Sequence, residues 1–452
     1  MRCPLARAYR LLSVLALLAF FVVTPAPPVL AATFTVNSTD DDPDASPGNG
    51  VCQTAGGQCT LRAAIQEVNA LTPGPHTIVF NIPTASPGYN SSGYWVIRPA
   101  SALPAITVGN VTIDGRTQPV GNPGWTHPRI VLDGSLITGG ANGLTITSSG
   151  NTIRRLTIQN FVTSSFDLTG TTGSGIFIRD STNNRVHGCY LGTTPDGSSA
   201  ARNHFAGVRV QNASNTIIGN PTAGTGPDID TAGDNALGNL IAGNGQTLLT
   251  TAANVYLTAS AYASGGGNVI RGNLIGTNLA GTAKIAGDSG NQRYGVQLDK
   301  YLDDTIIDAN VIAGHDATSS SYGIYMYGQN VDGTDSPLDT VITGNVIGTT
   351  KGGTSTTRVP NSVGIYIGGA HNTRIGGATL AERNIIAGNG ATSPNGHGVQ
   401  LRSRAVFNTT IQGNYIGLNA NGASFGRSGT DSLGNLGPVS YTHLTLPTIY
   451  SV

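Results

Sequence analysis

One short phrase recurs along the chain and limits its fold more than any other feature. "GNVIRGNLIGTN" (residues 267–278) has variants in "DTIIDANVIAGH", "DTVITGNVIGTT" and "NTTIQGNYIGLN". Three pieces repeat in order. The first is G-[VIL]-x-[VIL], found as "GLTI" at Gly143, "GIFI" at Gly175, "GVRV" at Gly207, "GVQL" at Gly295, "GIYM" at Gly323, "GIYI" at Gly364 and "GVQL" at Gly398, with "NVYL" at Asn254 in the same slot. An N/D-x-x-I phrase follows, as at Asn215, Asp304, Asn372 and Asn408, and then N-x-I-[AG]. Successive units lie 28 to 47 residues apart, and the last piece alternates between an "IAG" and an "IGT" type, so the true period is two units.

Pieces this short place only two or so side chains inward each, so no unit buries a core alone and units must stack. Gly and Asn interrupt any helical pattern every few residues. Three parallel strands per turn, about 4.8 Å from their copies above, give an all-β solenoid, a right-handed parallel β-helix. Gly and Asn supply the positive φ that the corners between strands need. Asn273, Asn310, Asn345, Asn384 and Asn414 are expected to stack there as an amide ladder rather than act in catalysis.

The 452 residues carry no net charge and only 11% are charged, which offers nothing to steer a nucleic acid. Residues 1–32 read as a signal peptide: a basic start, the apolar run "LLSVLALLAFFVV" and the small-residue ending "VLAA". That run is too short to span a bilayer, so the mature chain is expected to have no membrane span and to be exported, secreted or at a cell surface. At the other end, "VSYTHLTLPTIYSV" (residues 439–452) breaks the Gly/Asn texture and resembles translated sequencing adapter. Export permits disulfides. Cys52 and Cys59 flank a Gly-rich bend that a bridge can close, and Cys189 replaces a repeat Asn as an inert core thiol.

Before the array, "CTLRAAIQEVNAL" reads as one helix with Thr60 as N-cap and Leu61, Ala64, Ile65 and Val68 on its apolar face. Its task would be to cover the open first coil. Residues 34–70 resemble the N-terminal module of CSLREA-type exported bacterial β-helix proteins, though "CTLRAA" departs from the namesake string. "ALPAITVGNVTIDGRTQP", "PRIVLDGS" and the "GNxIGT" units resemble the right-handed β-helix repeats that follow it there. The resemblance implies a cap module over residues 33–80, a β-helix of the pectin-lyase-like type over 81–438, and bacterial origin. That wider fold includes polysaccharide lyases, hydrolases and non-enzymatic adhesins.

Chemistry is harder to find. Asp332 and Asp335 in "QNVDGTDS", with His397 in "NGHGVQL", superficially resemble polygalacturonase motifs, but the paired Asp-Asp and the Arg-Ile-Lys are missing. Asp303, Asp304 and Asp308 in "DDTIID", near Lys300 and Arg293, and the run Asp40, Asp41, Asp42 and Asp44 could hold Ca²⁺; a strand position and a solvated turn explain them as well. No other cofactor is expected. The polar face of the solenoid suits sugars, with Tyr294, Tyr322, Tyr325, Tyr327, Tyr366 and Tyr415 as candidate contacts and Arg293 and Lys284 beside them. The long charged loops after the "IGT" pieces are the expected seat of function. The sequence therefore points to a monomeric, non-catalytic, adhesin-like protein that binds polysaccharide or cell-surface glycan. A lyase or glycoside hydrolase with a diverged site is the alternative.

Overall fold

The computed structural model describes residues 31–441, apart from 73, 163–171, 225, 230–236, 246–251, 289–291, 318–319, 331, 355–356, 391–395, 403–405, 423–434 and 436. The expected signal peptide up to residue 30, and residues 442–452 of the expected adapter tail, lie outside the described residues. Val439, Ser440 and Tyr441 continue a strand that starts at Gly437.

The chain winds into a right-handed parallel β-helix with three long sheets. One coil shows the plan: Ser174–Thr182 lies in sheet III, Arg185–His187 in sheet I and Tyr190–Leu191 in sheet II. Among the described residues, sheets I and II have 11 strands each and sheet III has 9. Pairing keeps equivalent residues in register. In sheet III, Ile176, Val208, Val255, Val296, Ile324, Ile365 and Val399 stack in one inward row. Ile218, Ile270, Ile307, Ile342 and Ile375 do so in sheet I, and Ile241, Ile275, Ile312, Ile347 and Ile386 in sheet II. These rows form one continuous buried core, each side chain worth about 1.5–3 kcal/mol of burial.

The helix Leu61–Ala70 begins at Thr60, whose hydroxyl accepts from the Ala63 N–H. Its Leu61, Ala64, Ile65 and Val68 join the buried cluster of Phe34, Val36 and Ile78, so the apolar stripe covers the end of the solenoid. Strands Thr33–Val36 and His76–Phe80 are the first two of sheet I, so the sheet runs unbroken across residue 80. Cys52 and Cys59 are bonded, with Cα atoms 5.2 Å apart. Glu67, fully buried on the helix, accepts from the N–H groups of Gly48 and Gly50 and ties the same loop down.

The corner between sheets I and II carries the amide ladder. Asn239, Asn273, Asn310, Asn345 and Asn384 each pass a side-chain N–H to the next Asn oxygen at 2.9–3.0 Å, the last of them that of Asn414. Each also donates to a carbonyl of an earlier coil, as Asn310 does to Ile270 at 2.9 Å. The positive φ falls not on these Asn but on the residue before, Gly272, Gly344 and Gly413, with Ala309 at φ 55° in the same slot. Asn and Asp take positive φ at the other corner, between sheets III and I: Asn215, Asp304, Asp339, Asn372 and Asn408.

A second buried ladder, not anticipated from the sequence, follows sheet II: Asn203, Asn244, Gln292, His315, Asn361, Asn389 and Asn435, one per coil. Asn254, standing where other coils have Gly, bridges Asn244 to Gln292 and to His315.

The alternating loops are also placed. After the "IGT" pieces the chain turns through hairpins closed by Thr193–Ala200, Thr277–Lys284 and Thr349–Arg358 bridges. Neighbouring hairpins join across two coils through the Ser199–Ala286 bridge and the Lys351 N–H bonded to the Gly281 carbonyl. Their apolar side chains cover the outer row of sheet II, Tyr190, Leu240, Leu274, Val311 and Val346. These loops, expected from the sequence to be the seat of function, thus also close a second hydrophobic layer.

Candidate functional site

In G-[VIL]-x-[VIL] the two aliphatics point into the core, so the variable x points out from sheet III. The register stacks these x positions into one outward row: Phe177, Arg209, Tyr256, Gln297, Tyr325, Tyr366 and Gln400. Side chains of this row and its flanks form a continuous shelf. Tyr325 stacks on Tyr294 at 4.9 Å, on Tyr366 at 5.3 Å and on Tyr327 at 5.9 Å between ring centres. Tyr322 meets Tyr325 at 5.1 Å and Tyr366 at 4.7 Å. Further back, Arg209 lies over Phe177 at 4.6 Å and Phe205 at 5.0 Å.

The tyrosines differ in access. Tyr294 is 4% exposed and Tyr327 is 37% exposed, with Tyr322, Tyr325 and Tyr366 half-buried. Tyr294 is thus support for the shelf rather than a contact, which corrects its place among the binding candidates. Burial pushes its phenol up to about 12, and burial together with neighbouring tyrosines raises Tyr325. These hydroxyls stay protonated at neutral pH and offer both donor and acceptor. Tyr415 is no part of the shelf: it lies in sheet II, under the Arg383 guanidinium at 4.0 Å.

Charges frame the shelf unevenly. Arg293 sits over Tyr294 at 5.2 Å and donates to the Ser320 carbonyl at 3.3 Å. Lys300 donates to Gln329 at 2.8 Å, and Arg402 is exposed one residue beyond Leu401 of the strand His397–Leu401. Asp299, just past the strand Tyr294–Leu298, accepts from the Tyr256 hydroxyl at 2.7 Å. Burial raises its pKa, against the lowering hydrogen bonds from Tyr256 and Gln297. Lys284 is not on this face. Its ammonium is held between Asp288 at 3.1 Å and Asp316 at 2.7 Å, which removes it as a ligand contact.

The catalytic candidates do not converge. Asp332 and Asp335 lie in the turn after strand Tyr322–Met326, whereas His397 starts strand His397–Leu401. These strands run parallel, both paired with Val363–Ile367, so the groups sit at opposite edges of sheet III, about 13 Å apart along the strand direction. Asp335 is buried and accepts from the N–H groups of Gln329 and Asn330; Asp332 is exposed and caps Thr334. Both are turn-formers.

The metal candidates are also redistributed. Asp41 is bonded to the Arg62 guanidinium at 2.8 Å and to the Ala100 N–H, and Asp42 is exposed with its carbonyl taken by Thr60. Asp44 caps Ser46 and Gln53. Asp308 leaves the "DDTIID" cluster: at the far end of its strand it pairs with Arg271 at 2.7 Å in a buried bridge. Asp339 from the next coil takes its place beside Asp303 and Asp304, with carboxylate oxygens within 4.8 Å of one another. Burial and then the Asp304 charge raise the Asp303 pKa. This is the one such acidic group among the described residues, and two of its three members are exposed. Cys189 is buried and unbridged, its thiol pushed up to about 12 by burial, hence inert.

Phe177, Phe205, Arg209, Tyr256 and Gln297 were not among the sequence candidates. Phe177, Arg209, Tyr256 and Gln297 belong to the column of x residues, legible once the repeat is aligned by coil, and with Phe205 they are buried supports behind the accessible tyrosines, as Tyr294 is.

No family model matches the chain, and no curated protein matches it significantly. Among solved structures it is similar to an alginate lyase from Paenibacillus sp. str. FPU-7 (TM-score 0.41, 12% identity, covering 85% of this chain and 95% of that one). It is similar to the A-module of a mannuronan C-5 epimerase from Azotobacter vinelandii (TM-score 0.34, 12% identity, 91% and 92%). PfbA, a surface adhesin of Streptococcus pneumoniae, gives TM-score 0.35 at 11% identity over 78% and 86%. Such identities speak to the shared parallel β-helix alone. Among the described residues no helix is long and apolar enough to cross a membrane.

Proposed function

We propose that this is an exported, non-catalytic glycan-binding protein of the adhesin type, which lays an extended acidic polysaccharide along the outer face of sheet III. The observation that carries the reading is the stacked shelf of Tyr322, Tyr325, Tyr327 and Tyr366, half-buried or exposed on a rigid sheet. Aromatic faces take the apolar face of a sugar ring while phenol hydroxyls bond its hydroxyls. Strand spacing of about 4.8 Å repeats the contact coil after coil. Arg293, Lys300 and Arg402 at the margins favour carboxylated units.

The separation of Asp332 and Asp335 from His397 supports binding over hydrolysis. The helix, the disulfide and the Glu67 clasp support reading residues 33–80 as a CSLREA-type cap, and the apolar leader supports secretion or display on a bacterial surface. The reading invokes no cofactor.

The test is affinity electrophoresis through gels containing polyuronates, with reducing ends and unsaturated products measured in parallel. Retardation without product is expected, with Tyr366→Ala restoring free mobility. Steady product release would replace this reading by the lyase or hydrolase alternative, and unretarded migration in every gel would remove it.

A further inference from the structure

A second concavity lies far from the shelf, at the start of the hairpin stack that covers sheet II. Each hairpin in that stack leans on the next: Gly281 bonds Lys351, and Gly353 bonds Ala420. Among the described residues no hairpin precedes the first one, residues 193–200. The loop between strands Val111–Asp114 and Ile130–Asp133 stands there instead and carries Trp125. The mismatch leaves an open cleft of about 280 Å³ lined by Ser92, Tyr94, Trp125, Thr194, Asp196 and Ser198.

The groups in this cleft are not demanded by the repeat. Asp196, four residues after Gly192, occupies the place of Ala280 after Gly276 and Gly352 after Gly348. Tyr94 and Trp125 form a tilted aromatic pair with centres 4.9 Å apart, and His127 meets Trp125 edge-on at 4.9 Å. The indole N–H is already spent on the Pro128 carbonyl at 3.2 Å, so Trp125 offers ring surface. Asp196 takes hydrogen bonds from the Thr194 hydroxyl and the Ser198 N–H on Oδ1, and from the Ser198 hydroxyl on Oδ2. A carboxylate has about four acceptor positions, so one remains on Oδ2. It has no ion-pair partner among the described residues. Burial pushes its carboxyl up, but the bonds from Thr194 and Ser198 outweigh this and hold it below the ordinary range, so it stays anionic.

We infer that this cleft is a second glycan subsite, which takes one uncharged pyranose unit stacked on Trp125 and Tyr94 with a ring hydroxyl donated to Asp196. The aromatic surface selects a ring with an apolar face. The fixed negative charge of Asp196, which forms no ion pair among the described residues, disfavours the carboxylated units that the arginine-flanked shelf favours; Arg98, the cation near Tyr94, is paired with Asp133 at 3.6 Å. The two sites therefore sort glycans by charge, and the cleft stands or falls separately from the shelf.

Tryptophan fluorescence tests it on the full chain. The protein has two tryptophans, and Trp95 is 1% exposed, so Trp125 is the responsive one. Titration with cellohexaose, mannohexaose and xylohexaose is expected to give saturable quenching with at least one of them, and none with hexauronate. By calorimetry, Trp125→Ala should weaken that binding at least tenfold and the isosteric Asp196→Asn about fivefold, while Tyr366→Ala leaves it unchanged. Asp196→Asn retains side-chain size, and a far-UV spectrum like the wild type's certifies the fold of each variant. No quenching by any of the three, quenching by hexauronate instead, or affinity unaffected by Trp125→Ala in a folded variant would each overturn the inference. Failure of polyuronate binding together with success here would remove the shelf reading alone.

Discussion

His315 is a histidine in an asparagine's place, and the ladder dictates its charge. Its Nδ1 lies 2.9 Å from the Asn361 Oδ1 and its Nε2 lies 3.0 Å from the Asn254 Nδ2. The Asn361 amide nitrogen donates to Asn389 and Ile312, and that of Asn254 to Gln292, which fixes both amides. Nδ1 must therefore donate and Nε2 must accept, a pattern only the neutral ring satisfies. A proton on Nε2 would face the Asn254 N–H group. Full burial lowers the pKa of His315 to about 4, opposed by the Asn361 bond and assisted by the Lys284 charge, with Asp288 and Asp316 acting the other way. The folded pKa lies below the unfolded value of about 6.5, so the unfolded chain takes up the proton first as pH falls. The stability that neutral His315 contributes is complete above about pH 6.5 and is lost as pH falls towards 4. Linkage over that interval gives a loss of about 2 kcal/mol at pH 5 relative to pH 7.5. In His315→Asn this loss is absent. Guanidinium unfolding followed by circular dichroism at both pH values should show the variant gaining about 2 kcal/mol on the wild type as pH drops. Parallel pH slopes for the two proteins would refute the neutral, ladder-bound histidine.

Asn310→Ala removes one rung, stranding the Asn273 and Asn345 amides and the Ile270 carbonyl; a loss of about 2–4 kcal/mol in denaturant unfolding is expected. Ala309→Gly relieves an alanine at φ 55° and should stabilise by about 0.5–1 kcal/mol on the same assay, whereas a loss would mean that the alanine methyl packs usefully. Glu67→Ala leaves the N–H groups of Gly48 and Gly50 without their acceptor; it should speed proteolysis within residues 45–59 before the β-helix unfolds, while the Cys52–Cys59 bond persists.

The coil was legible because the three aliphatic rows and the Gly-Asn corner repeat in every unit, so sequence spacing and spatial stacking coincide. The cap was legible for a related reason: Thr60 and the Leu61, Ala64, Ile65, Val68 stripe are local signals. What escaped depends on contacts between coils. Asp304 finds Asp339, 35 residues on, while its sequence neighbour Asp308 is carried to the far end of a strand and into a bridge with Arg271. Tyr294 and Tyr366 look equivalent in sequence, yet one precedes the Gly of its phrase and is buried, and the other is an x residue that faces outward. Lys284 reads as a loop charge until Asp288 and Asp316 are seen around it. His315 and Gln292 hid in the second ladder because neither is Asn, and the apolar layer under the hairpins escaped because their few charges stand out more than the Leu279 and Ile285 that dock them.

Hydroxyl-radical footprinting of the full chain with and without a bound polyuronate tests the central claim most directly. Tyr327 and Tyr366 on the outer face of sheet III should lose at least two-thirds of their oxidation rate, while Phe407, exposed away from that face, keeps its own. Unchanged rates at both tyrosines under saturating ligand, or protection confined to the hairpins over sheet II, would contradict it.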